Sequence, residues 1–257
     1  MKATTFYDWS GGMESSAMLV IDRERIRETG AIVRYADTGK QFQEAYQSKA
    51  QIEQILGIEI VTVPRRITFD EFLFERGGMI RKGTNDCSRR MKRANLSRHL
   101  RDFEKPWEIN LGYNYEEIDR AEEWIDRNER PWCHWRFPLQ EAKITRGMTW
   151  KICEDAGFSV VVAMYRKMGR MDCFMCGNQS SAQALKVVDH YPDLAAEWLS
   201  MEERKQHSFL PIPLKTLIKE RDNQRILFPG AKCACFGGTK DAIDDEQQGE
   251  INVNRSH

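Results

Sequence analysis

The amino-acid sequence predicts an α/β protein with a doubly wound, mostly parallel sheet and a C-terminal helical extension that carries cysteines. Three short apolar segments near the N-terminus are strand candidates, and two segments with helical periodicity separate them. This alternation, at this spacing, is typical of βαβ units and of a parallel sheet. A chain of 257 residues is long enough for one elaborated domain with a full hydrophobic core.

The first half of the chain supplies most of the sheet. Gly57 ends the helix that precedes the third strand, and Pro64 ends that strand, because proline cannot donate to a ladder of backbone hydrogen bonds. The carboxyl ends of parallel strands meet at one edge of a sheet, where ligands bind in open α/β folds. We predict strands over 3–9, 31–36, 58–64 and 108–112, and helices over 14–28, 41–56, 69–75 and 116–127.

The second half is predicted to be mainly helical. The stretch NERPWCHWRFP, residues 128–138, combines three aromatic residues with two prolines, which favours a packed loop. The β-branched stretch SVVVAMY, residues 159–165, favours a buried strand. Helices are predicted over 144–156, 180–190 and 193–206, the last two as a hairpin broken at Pro192. The expected domains are an α/β domain at 1–170, a helical cysteine-containing extension at 171–239 and a flexible acidic tail at 240–257.

Composition excludes some classes of protein. Thirty-nine basic and thirty-nine acidic residues give no net charge, which argues against a globally electrostatic nucleic-acid binder but not against a local basic patch. No apolar run reaches membrane-spanning length, and the N-terminus lacks the features of a signal peptide. Seven cysteines, an odd number, do not suit a secreted disulfide framework. We therefore expect a cytoplasmic protein that does not associate with a membrane.

The stretch YDWSGGMESSAML, from Tyr7 to Leu19, is the most informative segment. Adjacent glycines, Gly11 and Gly12, let the backbone pass close to a ligand. Hydroxyl and amide groups at the start of the following helix form a cradle for an anion, and phosphate or pyrophosphate suits that geometry. A serine-capped turn between a strand and a helix is the alternative, and this segment alone does not separate the two.

Five further segments follow the loop in an order known from one superfamily. They are YADTGKQFQEA from Tyr35, DCSRRMKR from Asp86, GYNYEEIDR from Gly112, FPLQEAKITR from Phe137 and DCFMCGNQS from Asp172. With these segments, residues 5–200 resemble the PP-loop ATP pyrophosphatase superfamily, whose signature is SGG-x-D-S after the first strand. Within it, the chain is similar to the group of phosphoadenosine phosphosulfate (PAPS) reductase and the DNA phosphorothioation sulfurtransferases. The resemblance implies an adenine nucleotide alpha-hydrolase-like fold that binds ATP and Mg²⁺.

The resemblance also implies roles for particular residues. The loop would cradle pyrophosphate, the end of the second strand would bind ribose or adenine, and the later segments would face the same site. The implied nucleotide-binding residues are Ser10, Gly11, Gly12, Glu14, Ser15, Ser16, Asp37, Thr38, Gly112, Glu117 and Arg120. The implied catalytic residues are Ser10, Glu14, Arg89 and Lys92. Glu117 and Arg120 are three apart on a predicted helix, so pairing with each other is the simpler alternative.

Three positions depart from the superfamily pattern. Glu14 stands where the loop usually has aspartate, and Met13 stands where lysine is often found. Near the C-terminus the chain has GAKCACFGG in place of the Glu-Cys-Gly-x-His segment of the reductases. The loop therefore predicts nucleotide binding more firmly than it predicts catalysis.

The cysteines form a second candidate site. Cys173-x2-Cys176 is a two-ligand clip of the kind that holds zinc or an iron–sulfur cluster, and Cys233-x-Cys235 supplies further thiolates. By the resemblance, a [4Fe–4S] cluster is held by Cys87, Cys173, Cys176 and one of the last pair, Cys233 before Cys235. Zinc on the two pairs and a redox dithiol at the clip remain open alternatives. Cys133 and Cys153 are expected to be small core residues.

The segment from Arg81 to Arg101 has eight Lys or Arg residues and one acid. Such density predicts contact with a polyanion. The contact is either a nucleotide phosphate that meets Arg89 and Lys92 or a tRNA or DNA docked along the segment, and a solvated helix face is the alternative.

The predicted function is ATP-dependent adenylation of a substrate with release of pyrophosphate, linked to iron–sulfur-dependent sulfur transfer onto a nucleobase or nucleotide. The expected partners are the nucleotide substrate and a sulfur donor protein such as a cysteine desulfurase, in a homo- or hetero-oligomer. Three alternatives stay open. They are a PAPS or adenylylsulfate reductase-like oxidoreductase, a zinc-bound ligase of the deazapurine type, and a non-catalytic, nucleotide-gated subunit of a nucleic-acid modification or defence complex.

Overall fold

The strands form one parallel sheet in the order β3-β2-β1-β4-β5. The computed structural model describes residues 3–76, 86–171 and 173–227. Its strands are β1 (Thr4–Trp9), β2 (Ile32–Tyr35), β3 (Ile60–Thr62), β4 (Trp107–Leu111) and β5 (Cys133–Arg136). In the register, Phe6 of β1 lies opposite Ile32 of β2 and Ile109 of β4. The predicted parallel α/β architecture is confirmed.

Helices connect and cover the strands. The α-helices are α1 (Met13–Ile21), α2 (Arg23–Thr29), α3 (Gln43–Leu56), α4 (Phe69–Arg76), α5 (Ala94–His99), α6 (Ile118–Asn128), α7 (Pro138–Glu141), α8 (Arg146–Asp155), α9 (Ser159–Met168), α10 (Ser181–His190), α11 (Pro192–Lys205) and α12 (Leu214–Leu227). A π-helix, Ser88–Arg93, leads into α5, and short 3₁₀ turns occur at Leu100–Asp102 and Tyr115–Glu117. Within the described ranges, no helix is both long and apolar enough to cross a bilayer.

The two faces of the sheet are covered unequally. Side chains alternate between the faces of a strand. Tyr7 and Val33 therefore point into the main core, which helices α1, α3, α8 and α9 complete. Phe6 and Ile109 point to the other face, where Leu100 joins them in a much smaller core. The sheet is thus doubly wound, and its second face leaves room for an open cleft.

The C-terminal helices pack on the same main core as the sheet. Ala184 of α10, Trp198 of α11 and Leu217 of α12 are buried in it. Glu202 ties this region together, because its carboxylate accepts hydrogen bonds from the Trp198 indole and from the backbone N–H of Leu214. The predicted hairpin of α10 and α11 is confirmed, whereas α12 was not predicted. The tail at 240–257 lies outside the described residues.

The predicted single helix over 14–28 is wrong, because Asp22 divides it into α1 and α2. The Asp22 carboxylate accepts a hydrogen bond from the Tyr7 hydroxyl at 2.7 Å and pairs with Arg136. These tertiary contacts hold Asp22 between two short helices, which helical periodicity alone does not reveal.

The predicted buried strand over 159–165 is also wrong, because this stretch lies in helix α9. Its buried residues, Val161, Val162, Met164 and Met168, recur at helical spacing. Gly169 ends the helix in the left-handed conformation, with φ of +75°. Packing of this face on the core outweighs the strand preference of the valines.

The predicted loop over 128–138 contains strand β5, which pairs with β4. Pro131 precedes the strand and Pro138 follows it, so neither proline interrupts the ladder. Trp135 and Cys133 lie opposite Ile109 and Trp107 of β4. The aromatic residues that suggested a loop therefore extend the sheet.

Candidate nucleotide-binding cleft

The loop between β1 and α1 is stabilised by its own hydroxyl groups. The Ser10 and Ser15 hydroxyls are 2.9 Å apart, and the backbone N–H of Gly12 donates to Ser10 Oγ at 3.3 Å. Gly11 has a backbone φ of +88°, a conformation that residues other than glycine rarely adopt. Gly12 is the N-cap of α1 and has no side chain to cover the first turn of the helix. The loop therefore presents the N-terminal end of α1, where the helix dipole favours an anion.

Gly112, at the end of β4, lets the sheet approach the loop closely. A Cβ built on Gly112 would lie 2.8 Å from Ser15 Cα and 3.0 Å from the Ser15 backbone nitrogen. Both neighbours are backbone atoms, so a side chain at this position would displace α1. This contact explains why a glycine belongs in the GYNYEEIDR segment.

Ser16 contributes to the loop from inside the protein. Its side chain is fully buried, and its hydroxyl donates to the carbonyl of Gly12 at 2.8 Å and accepts from the Trp9 indole at 2.9 Å. The Ser16 side chain is predicted to bind the nucleotide, but it does not line the cleft. Both of its hydrogen bonds are made inside the protein. Ser16 instead fixes the turn that carries the binding groups.

Tyr165 of α9 reaches the start of α1, which the sequence did not reveal. Its hydroxyl accepts a hydrogen bond from the backbone N–H of Met13 at 3.1 Å. A Cβ on Gly12 would lie 3.0 Å from this hydroxyl. The contact between Tyr165 and Met13 was not expected, because residues 159–165 were predicted to form a strand and not helix α9.

A cleft of about 850 Å³ opens beside the loop. It runs from the carboxyl edge of the sheet across the thinly covered second face, between the sheet and helices α5 and α6. Its volume is at the large end of the range for ligand sites, about 300–1,000 Å³. The residues predicted for the site that line it are Ser10, Gly12, Glu14, Ser15, Lys92, Gly112, Glu117 and Arg120.

Two charged pairs line the cleft, one beside the loop and one on the floor. Glu14 is mostly buried and lies 3.7 Å from the Nε of Arg146, measured from its Oε1. On the cleft floor, Arg34 is only 1% exposed and donates from Nε and Nη2 to Asp8 Oδ1 at 2.9 and 2.6 Å. Arg146 lies in the FPLQEAKITR segment, but its position opposite Glu14 could only come from the tertiary structure.

Glu117 and Arg120 line the cleft and pair with each other at the start of α6. Asn114 forms a capping box with Glu117, in which each side chain bonds to the other residue's backbone. The guanidinium of Arg120 lies over the Tyr113 ring at 4.4 Å from its centroid. Glu117 and Arg120 therefore pair with each other and at the same time face the cleft.

Asp37 and Thr38 lie outside the residues that line the cleft. The Asp37 carboxylate accepts from the backbone N–H of Gly39 at 2.7 Å and from the Tyr46 hydroxyl at 3.0 Å. Thr38 is fully buried, and its hydroxyl lies 2.9 Å from the Sγ of Cys173. The end of β2 thus borders the cysteine clip more closely than the cleft.

Cys87, Cys173 and Cys176 come together beside that strand end. Burial, followed by the charge of Cys173, raises the pKa of Cys87 to about 12, while Lys92 acts in the opposite direction and Cys176 raises it further. Within the described ranges, no three Cys, His, Asp or Glu side chains form a group ready to hold a metal ion. Cys233 and Cys235, the other predicted ligands, lie outside the described residues.

The other two described cysteines differ from each other. Cys153 is fully buried, as predicted for a core residue, and burial raises its pKa to about 12. Cys133 of β5 is half-buried, packs against the small second core and also lines the cleft, so the prediction of a core role holds for it only in part.

The basic side chains between Arg81 and Arg101 do not all face the cleft. Arg89 pairs with Asp86 and Arg90 pairs with Glu75 on the outside, so Arg89 does not line the cleft. Lys92 and Arg93 do line it. Arg81 and Lys82 lie outside the described residues.

Residues 4–126 match the family model of the phosphoadenosine phosphosulfate reductase domain. The matched range contains the loop, the first four strands and most of α6. The match covers slightly less than half of the chain, so this part of the protein is similar to that domain.

A curated relative is the uncharacterized protein MJ0973 of Methanocaldococcus jannaschii, 23% identical over 199 residues. The aligned part is 76% of this chain and 47% of that protein, so the chain spans about half the length of the curated relative that it matches.

Solved structures similar to this chain include three enzymes. The phosphate complex of phosphoadenylyl-sulfate reductase from Candida auris is 11% identical, with a TM-score of 0.43, covering 61% of this chain and 74% of that one. The U34-tRNA thiolase NcsA from Methanococcus maripaludis, solved with its [4Fe–4S] cluster, is 13% identical, with a TM-score of 0.43 and coverage of 93% and 78%. NMN synthetase from Francisella tularensis is 13% identical, with a TM-score of 0.39 and coverage of 79% and 86%.

Proposed function

We propose that this domain binds ATP in the cleft and adenylates a substrate with release of pyrophosphate, as the first half of a sulfur transfer onto a nucleobase or nucleotide. The observation that carries the proposal is the loop of Ser10, Gly11 and Gly12 at the N-terminus of α1, open to a cleft large enough for a nucleotide and a second substrate. The match of residues 4–126 to the phosphoadenosine phosphosulfate reductase domain supports a nucleotide ligand.

In the proposed reaction, a carbonyl oxygen of the substrate attacks the α-phosphorus of ATP. A new P–O bond forms, the bond from the α-phosphorus to the oxygen shared with the β-phosphate breaks, and pyrophosphate leaves with that oxygen. A sulfur nucleophile then displaces AMP from the activated carbon. The first step gains most from fixed donors around the departing phosphates, since their negative charge increases in the transition state.

The residues of the loop supply those donors. The Ser10 hydroxyl and the first turn of α1 would hold the β- and γ-phosphates, and Lys92 would neutralise charge from the opposite wall. Glu14 has a carboxylate on the cleft and would position Mg²⁺ or a water. Arg146, beside Glu14, would limit the negative charge there when no metal is bound.

The cysteine group would hold an iron–sulfur cluster or zinc. The donor chemistry fits, because Cys87, Cys173 and Cys176 are thiols and the last two lie close enough to Cys87 to raise its pKa. The full set would need Cys233 or Cys235. A cluster supplies an iron that can carry sulfide, whereas zinc would be structural. Met171, two residues before Cys173, lines the cleft, so the cysteine group borders the proposed reaction site.

The proposal is tested by pyrophosphate release from ATP, measured with the Ser10→Ala and Glu14→Ala variants of the anaerobically purified protein. Removing one fixed donor from a transition state typically costs about 10²–10³-fold in rate, so we expect losses of that order for Ser10→Ala. Glu24→Ala, on an exposed surface of α2, is the matched control and should keep the wild-type rate. Unchanged turnover in both loop variants would refute the proposal. Metal analysis and an optical spectrum of the same sample distinguish a cluster from zinc.

A second candidate is a reductase that holds PAPS or adenylylsulfate in the same cleft and cleaves no ATP. The match of residues 4–126 to the phosphoadenosine phosphosulfate reductase domain favours this second candidate. It predicts tight binding of the sulfonucleotide and reductant-dependent sulfite release, with no pyrophosphate formed. The two candidates are therefore separated by which product appears.

A further inference from the structure

The end of the cleft farthest from the loop is lined by four tryptophans, Trp107, Trp124, Trp132 and Trp135, which we call the aromatic annex. Trp107 and Trp135 lie on the second face of β4 and β5, which only a small core covers. Trp124 of α6 packs edge-to-face on Trp135, with 5.5 Å between the ring centroids. Trp132 is 40% exposed at the rim. Packing alone does not account for so many rings left partly open to one cavity.

Two polar groups of the annex wall have no hydrogen-bond partner. The indole N–H groups of Trp107 and Trp135 donate to the carbonyls of Phe103 and Asn128, both at 3.2 Å. By contrast, the indole nitrogen of Trp124 and the Nε of Arg93 are buried without a partner among the described residues. A buried donor left unpaired costs free energy, which a ligand with acceptor atoms would recover.

Cations surround the rings. The guanidinium of Arg93 lies 5.6 Å from the Trp124 centroid, and the ammonium of Lys105 lies 3.9 Å from the Trp132 centroid and 5.4 Å from that of Trp107. In the part of the chain that the structure describes, neither cation has a carboxylate within ion-pair distance. Aromatic rings interleaved with unpaired cations are how proteins bind the bases and phosphates of single-stranded nucleic acid.

The annex is separate from the phosphate end of the cleft. Trp107 precedes Leu111 by four residues on β4, so about 13 Å of strand separates it from the carboxyl edge of the sheet. The buried Asp8–Arg34 pair lies on the floor of the same cleft, on the two neighbouring strands. A ligand in the annex would therefore leave the loop free for the phosphates of ATP.

We infer that the aromatic annex binds a nucleobase of the acceptor substrate, stacked on the open tryptophan rings, with its acceptor atoms bonded to Trp124 and Arg93. This inference rests on the proposed function for the identity of the second substrate. Of the residues to which it assigns the base, only Arg93 lies in one of the segments that carry the family resemblance. A nucleobase reaches the annex either on a single strand of nucleic acid or as a free nucleoside.

The test is binding of a mixed-sequence, single-stranded RNA dodecamer, and of its DNA counterpart, to the full chain. An oligomer of the same length without bases is the probe for charge alone. Stacking of one base is worth about fivefold or more in affinity, so we expect Trp132→Ala to weaken binding of the base-containing strands by at least that factor and to leave the abasic oligomer unaffected. Trp132 is exposed at the rim, so the variant should fold.

Two further variants address the unpaired donors. Trp124→Phe retains an aromatic ring and removes only the N–H, and we expect about 2- to 10-fold weaker binding of the base-containing strands. Arg93→Gln should weaken binding of both kinds of strand and lower the slope of log affinity against log salt by about 0.7. Arg127→Gln is the charge-matched control, because Arg127 lies on α6 but does not line the cleft.

Equal binding of abasic and base-containing strands, or wild-type affinity in both tryptophan variants, would overturn the inference. Competition between ATP and the dodecamer would also overturn it, since the annex would then hold the adenine of ATP. Tryptophan quenching by free nucleosides that is as strong as quenching by the strand would support the base site and identify a nucleoside as its source. If strands bind as expected but ATP is never cleaved, the base site stands and the proposed adenylation fails. If pyrophosphate is released but the tryptophan variants behave as wild type, only this inference fails.

Discussion

The loop end and the annex end of the cleft are built from different parts of the chain. At the loop end, backbone groups and short side chains within six consecutive residues, Ser10 to Ser15, make the wall. At the annex end, large side chains from β4, β5, α6 and the π-helix meet across the thinly covered face of the sheet. A site made by the backbone leaves a sequence motif, whereas a site made by distant side chains does not.

The two ends should also differ in how they tolerate change. The loop end depends on close backbone contacts that cannot relax, while partly exposed side chains at the annex can be replaced singly. The following predictions test this difference, from the largest expected effect to the smallest.

Asp8→Ala, on the cleft floor, should have the largest effect. Arg34 is buried and would lose the carboxylate that accepts two of its hydrogen bonds, leaving only the carbonyl of Leu96. Removing one partner of a buried ion pair typically lowers the free energy of unfolding by about 3–5 kcal/mol. Urea denaturation measures this loss.

The control for that prediction is Glu24→Ala, which breaks an exposed pair with Arg27 on α2. Exposed pairs contribute about 0–1 kcal/mol, so this variant should stay close to wild type. If the two variants were equally stable, the Asp8–Arg34 pair would not stabilise the floor that both ends share.

Gly112→Ala should damage the loop end next. The added Cβ would meet the backbone of Ser15 at 2.8 Å, so α1 must shift, and overpacking of this kind costs about 1–3 kcal/mol. ATP affinity should fall as well, because the same shift moves the loop. Thermal denaturation and calorimetric titration with a non-hydrolysable ATP analogue measure the two effects.

Gly147→Ala provides the comparison, since nothing lies within 4 Å of a Cβ at that position in α8. It should be neutral or raise the free energy of unfolding by up to about 1 kcal/mol. An unaltered Gly112→Ala protein would mean that the loop end tolerates side chains as readily as the annex does.

Tyr165→Phe should have the smallest effect of the three. The Met13 N–H would lose its acceptor, which costs about 0.5–1.5 kcal/mol of unfolding free energy. Under the proposed function the hydroxyl also borders the phosphate site, so affinity for the ATP analogue should fall about 2- to 10-fold, the equivalent of one hydrogen bond. Tyr191→Phe, which removes a hydroxyl bonded to Glu44 away from the cleft, should leave that affinity unchanged. If both variants bound the ATP analogue with the same affinity, the Tyr165 hydroxyl would not contribute to the site.

Much of the sheet followed from the sequence, because strands β1 to β4 are short apolar runs that turn residues and helices separate. Helix α9 did not, since its valines favour a strand and only packing on the core selects the helix. Strand β5 did not either, because its aromatic residues and flanking prolines look like a loop until β4 lies beside them.

The candidate site divides in the same way. The amino-acid sequence by itself determined the parallel α/β class, the loop at Ser10–Ser15 and the cysteine clip, because each depends on residues that are close together along the chain. Only the tertiary structure decided that Ser16 is internal, that Arg89 lies outside the cleft, that Tyr165 reaches α1, and that four tryptophans share one end of the cleft. The Tyr165–Met13 contact and the tryptophan group join residues far apart in sequence, and the packing of the unequally covered sheet determines which of them meet. The directions of Ser16 and Arg89 depend on how the core and the cleft lie around them.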